Sequence, residues 1–175
     1  MFRPMRRGKQ LLPPEESIQI LEQGTSGVLA VAGDAGYPYA VPLSYVYTEG
    51  KLYFHCAKSG HKLDAIRRNS KASFCVIGQD AVVPLEYTTY FRSVIAFGQI
   101  RIVEDPACVQ RAIQQLACKY APADSPEHRQ QAIDRELAAL CMLEMEIEHI
   151  TGKEAIELVG RSAPVPGPLP PRKKE

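Results

Sequence analysis

The stretch from Leu52 to Ile66 holds the residues whose chemistry is easiest to name. Ser59-Gly60-His61-Lys62 opens a run with helical spacing. A helix start carries free N–H groups and partial positive charge, a combination that suits a phosphate. Gly60 allows close approach of backbone to a ligand. Lys62 adds a full charge and His61 a donor. Taken alone, a lysine in a first helical turn is usually a solvated side chain. His55 falls in a strand-like run in which Tyr53, His55 and Ala57 share one face and Leu52, Phe54 and Cys56 the other. The apolar set reads as core-facing, which leaves His55 at a surface or cleft. No Ser-His-Asp order can be assigned around it.

Other candidates have simpler readings. His128 and His149 lack a neighbouring ligand pattern. Neither a Walker loop nor G-x-G-x-x-G follows a strand-like run, which argues against nucleotide hydrolysis and a Rossmann site. Glu15/Glu16 fit the start of a helix, and the row Glu144/Glu146/Glu148 a solvated strand face, better than a hydrolase dyad. The five cysteines (Cys56, Cys75, Cys108, Cys118 and Cys141) are odd in number and contain no C-x-x-C. That spacing argues against structural zinc and against a disulfide framework, so reduced thiols in a cytosol are expected.

The elements that would position these residues follow from periodicity. Pro13-Pro14-Glu15-Glu16 opens a helix with an Ile18/Leu21 stripe and a stop at Gly24. Gly27–Ala32 reads as a strand, Gly33–Gly36 as a turn, and Tyr37–Tyr47 as one further strand. Pro38 and Pro42 cannot donate to a ladder, so one edge of that strand must be open or bulged. A hairpin turn at Thr48–Lys51 leads to a strand at Leu52–Ala57, then a short helix capped by Ser59 with Leu63 and Ile66 inward. Ala72–Ile77 and Thr88–Val103 are strands, the latter bending at Gly98. Asp105-Pro106 caps a helix, and Ser125-Pro126 starts another running to Leu140. Met142–Ile150 alternates as a last strand. The reading is mainly β with peripheral helices: a six-stranded antiparallel barrel over residues 13–160, a flexible arm at 1–12, and a proline-rich basic tail at 161–175.

The 175 residues suit one domain, and 45% hydrophobic with 23% charged residues is ordinary for a globular protein. A formal net charge of +1 gives no global field for nucleic acid or an anionic membrane. There is no apolar run of spanning length, and Met1–Arg7 has charge with no apolar stretch after it. The expected setting is the cytoplasm, with no nucleic-acid or membrane partner.

Taken in order, Gly36–Leu43, Gly50–Ala57, Gly60-His61-Lys62 and Tyr90–Gly98 resemble the FMN-binding split barrels related to pyridoxamine-phosphate oxidase, in particular the nitroimidazole-resistance branch. The likeness runs from about Glu15 to Leu158. It implies a homodimer with FMN in a cleft between subunits. Tyr39, Ala40, Val41, Pro42, Leu43 and Ser44 match the strand beside the flavin ring and ribityl chain. His55 and Cys56 match the pair ending the next strand, His61 and Lys62 an Arg-Lys pair on the phosphate, and Ser93 a polar residue near the flavin. Tyr90 and Arg92 are expected to line the cleft, and His55 to donate a proton or position an acceptor. His61 stands where arginine is usual, which removes a fork of donors. The C-terminal Arg/His pattern for pyridoxal phosphate is missing, and the chain has no Trp. The implied activity is an FMN-dependent oxidoreductase acting on a small molecule, with NADH or NADPH as donor and nitroaromatics as acceptors. The alternative is a non-catalytic flavin- or haem-binding module. No metal is expected.

Overall fold

A computed structural model describes residues 1–160; the expected tail at 161–175 lies outside the described residues. The elements are α1 (Pro14–Gln23), β1 (Ser26–Ala32), β2 (Pro38–Ser44), β3 (Val46–Thr48), β4 (Lys51–Ala57), α2 (His61–Arg68), β5 (Lys71–Val83), β6 (Thr88–Ile102), α3 (Pro106–Tyr120), α4 (Pro126–Leu137) and β7 (Leu140–Glu154). The strands form one sheet in the order β2-β1-β5-β6-β7-β4-β3, and every neighbouring pair is antiparallel.

The count is seven strands, not six. The run 37–47, expected as one strand, breaks at Tyr45 into β2 and β3. These two pieces lie at opposite edges of the sheet. The chain therefore crosses from one edge to the other in a single residue, and the sheet curls so that its edges approach without a ladder closing them.

Tyr45 is fully buried. Its hydroxyl donates to the Leu21 carbonyl at 2.7 Å. Its backbone N–H donates to the Tyr120 hydroxyl at 2.9 Å, and its carbonyl lies 3.0 Å from the same hydroxyl. Tyr120 also reaches the Thr25 carbonyl. One hydroxyl has one proton, so it donates to one of these carbonyls at a time while accepting from the Tyr45 N–H. The Lys119 ammonium sits 4.2 Å above the Tyr45 ring and donates to the Gly24 carbonyl at 2.6 Å. Burial lowers Lys119 to about 8 and pushes the Tyr45 phenol up. Glycine is required at 24, because a Cβ there would meet the Tyr45 hydroxyl at 2.6 Å.

The barrel interior is filled from alternate positions: Leu29 and Val31 on β1, Phe74 and Val76 on β5, Val94 and Ala96 on β6, Leu143 and Met145 on β7, and Leu52 and Phe54 on β4. Phe74 meets Tyr45 and Phe54 edge-on, at centroid separations of 4.8 and 5.0 Å, the arrangement that aromatic quadrupoles favour. Helix α2 contributes Leu63, Ala65 and Ile66, and α1 contributes Leu21. A second apolar cluster joins α3 and α4 (Ala112, Ile113, Leu116, Ile133) to Val46, Val103 and Met142.

Several boundaries differ from expectation. Helix α4 ends at Leu137, so Leu140 belongs to β7, which continues past Ile150 to Glu154. Strand β5 extends to Val83 through a register shift between Ile77 and Gln79. Ser59 does not cap α2; the cap position is Gly60, without a side-chain hydrogen bond. The shift at Gly98 and the Asp105 cap, which accepts from the Cys108 N–H at 2.9 Å, are as expected. The inner end of the N-terminal arm is tied down: the Leu12 N–H donates to the Gly152 carbonyl at 3.1 Å, and Gln10 and Leu12 are buried.

Glu144 departs from the expected solvated row. Glu146 and Glu148 are exposed, but Glu144 is buried. Its carboxylate accepts from Tyr53 Oη (2.9 Å), Lys51 Nζ (3.2 Å) and Arg101 Nε and Nη2 (3.1 and 2.8 Å). The strand alternates as predicted, yet α3 covers this part of its outer face. Burial alone would raise the carboxyl, but the three donors outweigh it and hold the group below its usual range.

Two outcomes are expected. Tyr120→Phe leaves the Tyr45 N–H buried without a partner and should cost roughly 1–3 kcal/mol, read as a lower urea midpoint at unchanged slope. The stability that Glu144 contributes is present above its ordinary value, about 4.3, and is lost as pH falls through the lower folded one. The gap in stability between wild type and Glu144→Gln should thus be widest near neutrality and close in acid denaturation curves.

Candidate functional site

Strand β2 is an edge, paired only to β1. Its residues alternate: Tyr39, Val41 and Leu43 pack against the barrel core, whereas Ala40, Pro42 and Ser44 are exposed on the outer face. The six matched residues therefore present two different faces. Their backbone alternates too. The Gly33 N–H donates to the Tyr37 carbonyl at 2.9 Å, which fixes the phase of the ladder. Tyr39, Val41 and Leu43 bond to β1, while the backbone groups of Pro38, Ala40, Pro42 and Ser44 point to the open edge. Two of those four are prolines. The open edge thus offers four carbonyls and only two N–H donors, Ala40 and Ser44, and it resists pairing with a stray strand.

Helix α2 begins beside this edge. Gly60 has φ 130° and ψ 167°, a conformation that side chains disfavour, and it turns the chain from β4 into the helix. The His61 ring lies 4.1 Å from the Tyr39 ring, centroid to centroid. His61 Nε2 is 3.3 Å from the Asp34 carboxylate, and Arg68 Nη2 is 2.5 Å from its other oxygen. Asp34 stands in the turn between β1 and β2. In the sequence that turn reads as punctuation, which hides the roles of Asp34 and Arg68. A signal existed: Arg68 follows His61 by seven residues, which returns it to the same helix face.

His55 is exposed at the end of β4, and Cys56 beside it is half-buried. Lys62 is half-buried, and its charge is felt at the Cys56 thiol. Tyr39, His61 and Lys62 are thus brought to one mouth of the barrel, with His55 and Cys56 on the adjoining strand end.

Tyr90, Arg92 and Ser93 stand elsewhere. They lie on β6, three strands from β2, about 14 Å across the sheet. Ser93 is in register with Ile77 and Lys153. Tyr90 donates to Glu86 at 2.8 Å. Arg92, expected at the cleft wall, is buried: its Nε and Nη2 each meet Glu154 Oε2 at 3.0 Å, and Nη1 reaches Gln79 at 3.4 Å. One chain does not bring these residues to the α2 mouth.

The outer face of β1, β5 and β6 carries exposed apolar side chains, with Phe2 of the N-terminal arm packed on Phe97 at its margin, 5.6 Å between centroids. Val28, Ile77 and Ile95 are 40, 66 and 38% exposed, and the β5–β6 hairpin carries Val82, Leu85 and Tyr87 at 70, 95 and 98%. An open depression of about 450 Å³ on this side is lined by Ala30, Ala32, Gly36, Pro38, Ser73 and Phe97, among others, and by none of the residues expected to hold a cofactor. No group of three or more metal-ligating side chains occurs among the described residues, nor does any helix there have the length and apolarity to cross a membrane.

These features define a split-barrel fold. Residues 13–154 match the pyridoxamine 5'-phosphate oxidase family, and the chain belongs to it. Three solved structures illustrate the fold. A candidate 5-nitroimidazole antibiotic resistance protein from Bacteroides thetaiotaomicron has a TM-score of 0.69 at 19% identity, covering 82% of this chain and 86% of that one. The conserved hypothetical protein Rv2991 from Mycobacterium tuberculosis gives 0.76 at 18%, covering 94% and 98%. The FAD and haem binding protein from Mycobacterium smegmatis gives 0.68 at 22%, covering 85% and 74%. At these identities the likeness is one of fold. No curated protein matches the sequence.

Proposed function

We propose that this chain is an FMN-dependent oxidoreductase that works as a homodimer in the cytoplasm. The observation that carries the reading is the meeting of the donor-poor edge of β2 with the Gly60–Lys62 helix start, joined by the Tyr39–His61 contact. The residues suit FMN on physical grounds. A dianionic phosphate wants a helix start and a cation, which Gly60 and Lys62 supply. A flat amphipathic ring wants an apolar wall with backbone groups at its polar rim. Ala40 and Pro42 offer the wall; the Ala40 and Ser44 N–H groups and the edge carbonyls offer the rim. When bound, FMN supplies hydride and single-electron transfer.

The protein's own residues then have distinct tasks. Lys62 holds the phosphate. His61 contributes less than an arginine would, because its Nε2 faces Asp34. His55, exposed at the adjoining strand end, moves a proton or orients an acceptor. The exposed face bearing Val28, Ile77 and Ile95 packs against its two-fold copy. That packing brings Ser93 and Tyr90 of one subunit toward the α2 mouth of the other. NADH or NADPH as donor and a nitroaromatic as acceptor complete the proposed reaction; the likeness to a nitroimidazole-resistance protein supports that choice. The five free thiols fit a reducing compartment.

The Asp34 carboxylate beside His61 favours a second reading, a non-catalytic module for flavin or haem, as does the fold likeness to a FAD and haem binder. The protein as isolated should be yellow and should quench added FMN fluorescence. Loss of the Lys62 contact removes roughly 1.5–3 kcal/mol, so Lys62→Ala should weaken FMN by about 10- to 100-fold and leave riboflavin unaffected. Asp34→Asn should tighten FMN, since it removes a negative charge from the phosphate's surroundings. A colourless protein that quenches no FMN overturns the proposal. A haem absorption band, or tight flavin without nicotinamide-driven turnover, selects the second reading.

A further inference from the structure

We propose that Cys56 and Cys141 form a reversible thiol–disulfide site that exchanges with low-molecular-weight disulfides. The proposal does not depend on the cofactor reading.

The two residues face each other across β4 and β7. The Ile147 N–H donates to the Gly50 carbonyl at 3.3 Å, and alternation along the register makes 52/145, 54/143 and 56/141 hydrogen-bonded pairs. Such pairs have Cα atoms about 5.5 Å apart, inside the range that a disulfide spans. Both side chains point to the same face, where both pack at the margin of the barrel core. Both are half-buried and neither is closed off from solvent, so a small reagent can reach them.

The remaining thiols are placed differently. Cys75 is in register with Val28 and Ile95. Cys108 accepts from Arg111 Nη2 at 3.0 Å in the first turn of α3, and Cys118 is exposed on the same helix. Among the described residues, only Cys56 and Cys141 stand opposite each other.

The chemistry balances as two exchanges. The Cys141 thiolate attacks one sulfur of a small disulfide RSSR, forms a mixed disulfide and releases RS⁻. The Cys56 thiol then loses its proton to solvent and attacks the Cys141 sulfur, which releases the second RS⁻. Two protein thiols are oxidised and RSSR is reduced to two RSH. Burial pushes the Cys56 thiol up to about 11 against the pull of the Lys62 ammonium, with Cys141 adding to the rise. Thiolate is therefore scarce on Cys56 near neutrality, but it is a strong nucleophile once formed.

Closure needs the Cβ atoms, about 5.5 Å apart in such a pair, to come to about 3.8 Å. The strands must draw together, and the bond carries strain. A strained disulfide is reduced easily, which suits a site that follows the redox state of its surroundings rather than a permanent staple. It lies next to His55 and beside Lys62, so its state is felt at the α2 mouth.

The test treats the whole protein with glutathione buffers of rising oxidised fraction, blocks free thiols by alkylation, and maps peptides by mass spectrometry. The expected result is loss of two of the five alkylatable thiols, a Cys56–Cys141 linked peptide lighter by two hydrogens, and full reversal by dithiothreitol. The rate should climb about tenfold per pH unit while the attacking thiol is mostly protonated. Cys141→Ser and Cys56→Ser should each abolish the link, and Cys75→Ser should keep it. Glutathione on exposed Cys118 with no Cys56–Cys141 link overturns the proposal, as does a link to another cysteine that survives Cys141→Ser.

Discussion

The fold turns on one residue. Between Ser44 and Val46 the chain leaves one edge of a seven-stranded sheet and enters the other. No ladder joins those edges, so Tyr45 alone ties them covalently. A corner of this kind buries a peptide group that belongs to neither strand, and its donor and acceptor need partners. The Tyr120 hydroxyl meets both, and the Tyr45 hydroxyl anchors the corner to the end of α1 through Leu21. Helix α3 thus does more than cover an apolar patch. It carries, in Lys119 and Tyr120, the groups that make the corner tolerable.

The corner also sets what is left open. Because the chain turns away at Tyr45, β2 has no partner on its outer side, and the spacing of Pro38 and Pro42 puts both imino nitrogens on that open edge. The same curl places the start of α2 against β2 through Tyr39 and His61. A donor-poor edge, a helix start and a lysine are gathered by the curl of the sheet and not by local sequence. Asp34 tempers the charge there by engaging His61 and Arg68. These are exposed ion pairs of small intrinsic worth, so their weight lies in the local field and not in stability.

Much of this was legible in the residues themselves. The alternation of Leu52, Phe54 and Cys56 against Tyr53 and His55 put the right side chains in the core. Asp105-Pro106 and Ser125-Pro126 announced helix starts, and Gly98 a bulge. Pro38 and Pro42 announced an open edge. The ordered segments carried the family likeness that residues 13–154 bear out. What periodicity did not reveal were events set by distant contacts. Tyr45 has strand propensity, and only the docking of Tyr120, seventy-five residues on, makes it a corner. Glu144 sits at an outward position, and only the cover of α3 and three donors bury it. Arg92 is expected at the cleft from the family likeness, yet it is buried and paired with Glu154. The separation of Ser93 from the α2 mouth depends on strand order, which no local pattern specifies.

That separation is the centre of the account: one chain does not bring Ser93 to the α2 mouth, and in the proposed dimer a second copy would supply it. Mixing two damaged forms tests this most directly. A Lys62→Ala chain and a Ser93→Trp chain, each poor in flavin alone, are unfolded together, refolded and titrated with FMN. A shared cleft predicts recovery of tight binding at about a quarter of the sites, because each mixed dimer holds one cleft built wholly from native residues. No recovery in a mixture shown to contain mixed dimers would contradict it.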